Sequence, residues 1–264
     1  RPNTGIRCIK VDRPEDLSPA LTAIIHTPTR NVRNMKPVSS VIFEAWRSLY
    51  SFDHGDLKVQ AEFVDDTSPD WRVEKVSYAA AYGGERILAY LFLPKNAKPP
   101  YQVMIGFSGG IIFYERSSAT ITDFDRFNFI MRSGRAFLYP IYKSTFERGD
   151  SIQDDTPNMT AAYRDHMIMW SKDFGRSVDS LESRSDIAKD RIGYIGLSTG
   201  LAPVFLAMEP RVSLGVIFMG GVYLQPSRPE ADAVNFAPHV KVPVLMLNGR
   251  YDYFFPTDSS QEPL

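Results

Sequence analysis

A serine between two glycines has the spacing in this sequence that most directly suggests chemistry. The residues Gly196-Leu197-Ser198-Thr199-Gly200 follow a predicted strand, residues 191–195, and precede a predicted helix from about Thr199 to Met208. At a strand-to-helix turn, a G-x-S-x-G sequence raises the serine Oγ above the sheet edge, where it can act as a nucleophile. The flanking glycines leave room for the strained backbone of such a turn. The alternative interpretation is a glycine-rich turn whose serine caps a helix.

A second glycine-rich turn could supply backbone N–H groups to the same site. Gly106-Phe107-Ser108-Gly109-Gly110 closes a predicted strand over residues 103–107. Glycines after a strand let amides approach a ligand oxygen without obstruction by side chains. The N–H of Gly109 or Gly110, together with that of Thr199, would then form a two-amide oxyanion hole. The alternative is a simple tight turn.

An aspartate suited to orienting a histidine base follows the last predicted strand. The strand Val244–Leu247 ends in Asn248-Gly249, and Asp252 stands in the loop after it. The carboxyl ends of parallel strands meet at one edge of a sheet, so this loop is expected at the same edge as Ser198. The alternative is an aspartate that caps a turn or faces solvent.

The elements that position these residues fall into two groups. Three β-type segments, residues 57–64, 71–79 and 86–93, are separated by turn-like gaps and predict an antiparallel meander. After Pro99-Pro100, short apolar runs alternate with helical stretches, which is typical of parallel strands buried on both faces. An antiparallel opening followed by a mostly parallel sheet is the architecture of the α/β-hydrolase fold. Residues 1–50 are predicted to be an N-terminal extension with an amphipathic helix, and residues 51–264 the hydrolase domain.

Several longer segments carry a resemblance to a known family. They are residues 80–86, 89–94, 235–238 and 245–252, together with Gly196-Leu197-Ser198 and Phe255-Pro256. From Leu57 onward, the chain resembles bacterial dienelactone-hydrolase-like esterases related to prolyl oligopeptidase, some of which are fused to Ser/Thr protein kinases. The resemblance implies that Ser198 is the nucleophile and Asp252 the acid. The family usually has Trp-Gly-Gly after the serine, where this chain has Thr199-Gly200-Leu201, so the packing beneath the turn is expected to differ.

No histidine stands where this fold supplies its base. The chain order in α/β-hydrolases is serine, acid, histidine, but His26, His54, His166 and His239 all precede Asp252. His239 lies in the loop that enters the last strand, at the end opposite Asp252. His166 lies in a helical stretch and is expected to face solvent or pack on the sheet.

The family continues past the equivalent of Leu264 through a helix, a strand and a loop with the histidine. A helix and a returning strand need about 30–45 residues, more than follow Asp252 in this sequence. Without them, the strand Val244–Leu247 would be an exposed edge with partly uncovered apolar faces. We therefore expect a C-terminal segment or a second chain to supply the catalytic histidine.

Composition excludes several other functions. The chain has 30 Lys and Arg residues against 31 Asp and Glu residues, so it lacks the basic surplus of a nucleic-acid or anionic-membrane binder. No apolar run is long enough to span a membrane, which predicts a soluble chain. With Cys8 as its one cysteine and no zinc or EF-hand pattern, the sequence predicts neither a metal nor a cofactor. Residues 150–155 are interpreted as a solvated loop rather than a calcium site.

The sequence thus predicts a serine hydrolase that cleaves small-molecule carboxylic esters through an acyl-enzyme. The alternative is a catalytically silent hydrolase-fold module with a binding or regulatory role, and the missing histidine motivates it.

Overall fold

A single mixed sheet organises the part of the chain that the structure describes. This computed structural model describes residues 30–120 and 124–264, together with residues 13, 15 and 17–19. Within these residues, eight strands lie in the order β1-β2-β3-β5-β4-β6-β7-β8. The strands are β1 (Gln60–Asp65), β2 (Trp71–Ala79), β3 (Arg86–Pro94), β4 (Tyr101–Ser108), β5 (Ala136–Pro140), β6 (Ile187–Leu197), β7 (Leu214–Phe218) and β8 (Val244–Leu247).

The strand directions confirm the predicted division of the sheet. The pairs β1–β2, β2–β3 and β3–β5 are antiparallel. The pairs β4–β5, β4–β6, β6–β7 and β7–β8 are parallel. Because β4, β6, β7 and β8 are parallel neighbours, the loops after them leave the sheet at one edge. The turns that carry Ser198, Gly110 and Asp252 therefore share that edge.

Five α-helices of the described residues flank the sheet. They are α1 (Ser40–Tyr50), α2 (Phe124–Arg132), α3 (Ala161–Glu182), α4 (Ala202–Met208) and α5 (Ala233–Phe236). Helix α3 buries Met167, Trp170 and Phe174 almost completely, and these residues lie on one face of the helix at a spacing of three and four residues. No helix in the described ranges is long and apolar enough to cross a membrane.

Helix α4 differs from the prediction, because it begins at Ala202 rather than near Thr199. The hydroxyl of Thr199 accepts a hydrogen bond from the Leu201 N–H at 3.3 Å, so these residues form a local turn instead of a first helical turn. Pro203 lies in the first turn of α4, where a missing N–H costs no helical hydrogen bond.

Helix α1 occupies the position of the predicted amphipathic helix and packs on the helical layer of the domain. Phe43 and Tyr50 are buried, and the ring of each meets Phe236 edge-on, at 5.5 and 5.3 Å between centroids. The Tyr50 hydroxyl donates to the Glu230 carbonyl at 2.8 Å. The division of the chain at residue 50 stays a prediction.

One side of the sheet beyond β6 exposes an apolar groove of about 790 Å³ between α2, β7 and β8. The exposed apolar residues that line it, together called the apolar groove, are Phe129, Leu214, Phe218, Met219, Leu245 and Leu247. Strand β8 is the last strand in the described sheet, and three of its four residues are exposed. The predicted uncovered edge strand is therefore observed.

Candidate active site

Ser198 lies at the tip of a tight turn between β6 and α4, called here the elbow (residues 196–200). Its φ angle is +54°, in a region that non-glycine residues rarely occupy and that costs about 1–3 kcal/mol. The residue is exposed although the residues on both sides of it are buried. The elbow therefore presents the serine hydroxyl at the carboxyl edge of the sheet, as the sequence predicts.

Close packing around the elbow leaves the strained turn little freedom to relax. A Cβ atom on Gly200 would lie 2.5 Å from the ring of Tyr223, and one on Gly220 would overlap the carbonyl oxygen of Thr199. The side chain of Asn248 bridges both polar groups of Gly220, accepting from its N–H at 2.9 Å and donating to its carbonyl at 2.8 Å. The ends of β7 and β8 thus brace the elbow from one side.

The glycine-rich loop after β4 lies directly against the elbow. The Gly109 N–H donates to the Leu197 carbonyl at 2.8 Å, so it continues the β4–β6 pairing. Because its N–H already has an acceptor, Gly109 is not available as an oxyanion donor. Gly110 is the other residue that the sequence predicts for this role. Gly110, at φ +75°, turns the chain away from the sheet. Neither its N–H nor that of Thr199 has an acceptor among the described residues.

A carboxylate from residues 150–155, which are predicted to form a solvated loop, lies beneath the elbow. Asp155 is 3% exposed, and its Oδ2 accepts from the hydroxyls of Thr199 and Tyr223, each at 2.7 Å. Burial raises the pKa of Asp155, and the hydrogen bonds from Tyr223 and Thr199 oppose that rise. The interpretation of residues 150–155 as solvated is therefore wrong at Asp155, which the fold buries against residues distant in sequence.

Asp252 lies in the loop after β8, two strands away from Ser198. Its Oδ1 accepts from the backbone N–H groups of Phe254 and Phe255, at 2.9 and 3.0 Å. Neighbouring strands are about 4.8 Å apart, so β6 and β8 are separated by about 10 Å. Oδ2 of the half-buried carboxylate has no hydrogen-bond donor among the described residues.

None of the described histidines is hydrogen-bonded to Ser198 or Asp252. The ring of His166 is buried, with Nε2 2.8 Å from Asp150 and Nδ1 2.7 Å from the Ala162 carbonyl. His166 is thus buried and hydrogen-bonded at both ring nitrogens, and the expectation that it faces solvent is wrong.

The other two described histidines are also engaged elsewhere. His54 contacts Asp179 at 2.9 Å near the end of α3 that leads into β6, which is the opposite edge of the sheet. His239 stacks on Phe43 with 3.5 Å between ring centroids, and burial lowers its pKa. His26 lies outside the described residues. Among those residues, no group of three His, Cys, Asp or Glu side chains could hold a metal ion.

The sequence matches no known family model and no curated protein, but the fold resembles solved structures. Acetyl xylan esterase 1 from Thermoanaerobacterium sp. JW/SL YS485 superposes with a TM-score of 0.63 and 17% identity over 89% of this chain and 87% of that one. An acetyl xylan esterase from Paenibacillus sp. R4 gives 0.56 and 14%, over 85% and 94%. A cold-adapted esterase from an Arctic intertidal metagenomic library gives 0.54 and 12%, over 77% and 83%. The chain therefore has the α/β-hydrolase fold, which the order of its predicted elements indicates.

Proposed function

We propose that this protein is a serine hydrolase of carboxylic esters, with Ser198 as its nucleophile. The observation that carries the proposal is the exposed Ser198 at φ +54°, on a β6–α4 turn beside two backbone N–H groups without acceptors among the described residues. A strained, exposed serine at this point of the fold is suited to attack a bound carbonyl. The esterase names of structures with the same fold favour acetyl esters as the first substrates to test.

In the proposed reaction, Ser198 Oγ attacks the ester carbonyl carbon while its proton passes to a histidine. The N–H groups of Thr199 and Gly110 donate to the oxygen that becomes negative in the tetrahedral intermediate. The histidine then gives its proton to the departing alcohol, which leaves an acyl group on Ser198. Water then attacks the acyl-enzyme while the same histidine takes its proton, and the histidine returns that proton to Ser198 Oγ as the carboxylic acid leaves.

Asp252 is the proposed partner of that histidine. Its Oδ1 is fixed by two backbone N–H groups, and its Oδ2 is available to accept from an imidazole N–H. The separation of about 10 Å between β6 and β8 leaves space for one imidazole ring between Ser198 and Asp252. Because His54, His166 and His239 are engaged elsewhere, we propose that the base is either His26 or a histidine of a polypeptide segment outside these 264 residues.

A second candidate function is a binding or regulatory module that has kept the hydrolase fold without its chemistry. The positions of the three described histidines favour it, since none of them reaches Ser198. If this candidate is correct, the protein folds but its Ser198 reacts neither with a fluorophosphonate nor with p-nitrophenyl acetate.

The test compares covalent labelling with turnover. A fluorophosphonate is expected to label the wild-type protein once, at the peptide that contains Ser198, and p-nitrophenyl acetate is expected to be hydrolysed. Loss of a triad serine costs about 10⁶ in kcat, so Ser198→Ala should abolish both signals. Ser151→Ala, at an exposed position outside the site, is the matched control and should change neither signal.

A variant of His26 distinguishes the two proposed sources of the base, which are His26 itself and a histidine outside these 264 residues. If His26→Ala abolishes turnover while the protein stays folded, His26 is the base. If it has no effect, addition of the downstream natural sequence is expected to increase turnover. A wild-type protein that folds but is neither labelled nor active, with or without that sequence, would refute the esterase proposal and support the binding module.

A further inference from the structure

Asp155 lies between the elbow and the glycine-rich loop, which carry the two proposed oxyanion donors. We propose that Asp155 is a positioning residue, which holds the elbow and the glycine-rich loop together so that the N–H groups of Thr199 and Gly110 converge on one oxygen. This inference rests on the proposed esterase function and adds to it a residue that contacts neither substrate nor the reacting atoms.

On the elbow side, the hydroxyl of Thr199 is held by two hydrogen bonds. It donates to Asp155 Oδ2 at 2.7 Å and accepts from the Leu201 N–H at 3.3 Å. Thr199 is 1% exposed, so water does not compete for these bonds. With its side chain fixed at Asp155 and at Leu201, the peptide that carries the Thr199 N–H has one orientation.

On the loop side, Asp155 packs against Gly109. A Cβ atom on Gly109 would lie 3.2 Å from both carboxylate oxygens of Asp155, and it would overlap the carbonyl oxygen of Ser198. The loop therefore passes through a narrow gap between Asp155 and the elbow. Gly110 follows directly, so the position of its N–H depends on the width of that gap.

Asp155 is itself anchored by residues of two other segments. The Tyr223 hydroxyl donates to Oδ2 at 2.7 Å, and the Tyr163 hydroxyl, from α3, donates to the Asp155 carbonyl at 3.3 Å. The Tyr223 carbonyl accepts from the guanidinium of Arg30 at 2.9 Å. These contacts fix the carboxylate relative to the sheet before any substrate binds.

The role of Asp155 requires an oxygen acceptor rather than a negative charge. A carboxylate charge beside an oxyanion would oppose the charge that forms during the reaction. Burial raises the pKa of Asp155, which disfavours its charged form. Asparagine is similar in size and keeps one acceptor oxygen, so it should preserve the position of Thr199, whereas alanine removes the acceptor.

The first test is steady-state hydrolysis of p-nitrophenyl acetate by the whole protein. A misplacement of about 1 Å costs about 10²-fold, so Asp155→Ala and Thr199→Val should lower kcat by about 10-fold to 100-fold. KM should stay nearly unchanged, because the amides bind the intermediate more tightly than the ester. Asp155→Asn, which keeps an acceptor oxygen for Thr199, should retain most of the wild-type kcat.

A matched control separates positioning from a general loss of stability. Thr145 is also buried, and its hydroxyl donates to the Tyr142 carbonyl at 2.8 Å rather than to a residue of the elbow or the glycine-rich loop. Thr145→Val should lower the unfolding temperature by an amount similar to Thr199→Val and leave kcat unchanged. A fall in kcat of equal size in both variants would overturn the inference.

The second test does not depend on activity. Amide hydrogen exchange in peptides covering residues 108–113 and 196–201 should accelerate in Asp155→Ala and Thr199→Val, but not in Thr145→Val. If the wild-type protein hydrolyses esters while Asp155→Ala and Thr199→Val keep its kcat and its exchange rates, Asp155 does not position the site. If the wild-type protein hydrolyses no ester and is not labelled, the proposed function fails, and the exchange data alone decide whether Asp155 holds the two loops.

Discussion

The backbone N–H of Ser198 donates to the Phe218 carbonyl at 2.9 Å. This bond extends the pairing of β6 with β7 one residue beyond the end of β6 and ties the elbow to the sheet. It also assigns the serine amide a structural role, so that N–H cannot stabilise an oxyanion. Because the Gly109 amide is bound to Leu197 in the same way, the proposed donors are Thr199 and Gly110.

The first prediction concerns Gly110. Its φ of +75° is unfavourable for any residue with a Cβ atom, although a Cβ there would meet no atom within 4 Å. Gly110→Val should therefore fold but displace the amide, and loss of one oxyanion donor costs about 10²–10³ in kcat. The measurement is hydrolysis of p-nitrophenyl acetate, together with the unfolding temperature.

Gly84, in the turn between β2 and β3, offers a matched control. Its φ is +65°, and a Cβ at this position would likewise meet nothing within 4 Å. Gly84→Val should carry a similar backbone cost, about 1–2 kcal/mol, without changing kcat. If both variants retain the wild-type kcat, Gly110 is not a donor.

The second prediction concerns the buried ion pair between Arg148 and Asp173. Their side chains are 8% and 0% exposed, with 2.5 Å between Nη1 and Oδ2. Asp173 also accepts from the Lys143 N–H at 2.9 Å and the Tyr82 hydroxyl at 2.8 Å. Arg148→Met leaves a buried carboxylate without its cation, so the free energy of unfolding should fall by about 3–5 kcal/mol.

Urea denaturation measures this loss, and an exposed pair provides the comparison. Arg47 and Glu44 lie 3.4 Å apart on α1, with both side chains more than half exposed. Solvent screens such pairs, so Arg47→Met should change stability by no more than about 1 kcal/mol. Equal losses in Arg47→Met and Arg148→Met would show that burial does not strengthen the Arg148–Asp173 pair.

The strands were the most predictable part of this fold. The bounds of β2 and β8 agree with the sequence prediction, and those of β1, β3, β4 and β6 differ from it by no more than four residues at either end. The continuous apolar run of residues 136–140 forms a strand because it lies in the middle of the sheet, where both of its faces are buried. The elbow was also predictable, since the spacing of its glycines is a local requirement of the turn.

The surroundings of Ser198 were less predictable, because they depend on contacts between distant segments. Asp155 is hydrogen-bonded to Thr199 and Tyr223, which are 44 and 68 residues away in sequence. Nothing in the sequence of residues 150–155 indicates which of their carboxylates is buried. The occupied amide of Gly109 depends on the register between β4 and β6, which composition does not specify. The unusual Thr199 after the serine was the one sequence signal, because it predicted different packing beneath the turn.

The third prediction concerns stability in acid. Hydrogen bonds from Arg184, at 2.8 and 2.7 Å, hold the pKa of Asp186 below its ordinary value, although partial burial opposes them. A carboxylate with a lowered pKa in the folded state stabilises fully above its unfolded pKa, about 3.9, and loses that contribution as the pH falls through the folded value. Asp186→Asn should therefore lower the unfolding temperature at pH 6 but have little effect near pH 2.

Asp258→Asn serves as the control for this titration, because Asp258 is exposed. Its difference from the wild type should be small at both pH values. The unfolding temperature of each variant is measured by circular dichroism from pH 6 downward. A constant difference between wild type and Asp186→Asn over the whole range would contradict the assigned role of the Arg184 pair.

The last prediction concerns the apolar groove beside β8. Phe129, Leu245 and Leu247 are 58%, 55% and 45% exposed, and apolar patches of this kind bind hydrophobic probes or partners. The folded 264-residue chain should therefore enhance the fluorescence of an anilinonaphthalene dye. The double variant Leu245→Glu and Leu247→Glu places two charges in the groove and should remove most of that enhancement. It should not lower the unfolding temperature, because both side chains already face solvent.

Val59→Glu, at a position that is 50% exposed outside the groove, is the control and should leave the dye signal unchanged. An equal loss of signal in both proteins would place the dye elsewhere, and a loss of stability in the double variant would show that Leu245 and Leu247 are buried in solution.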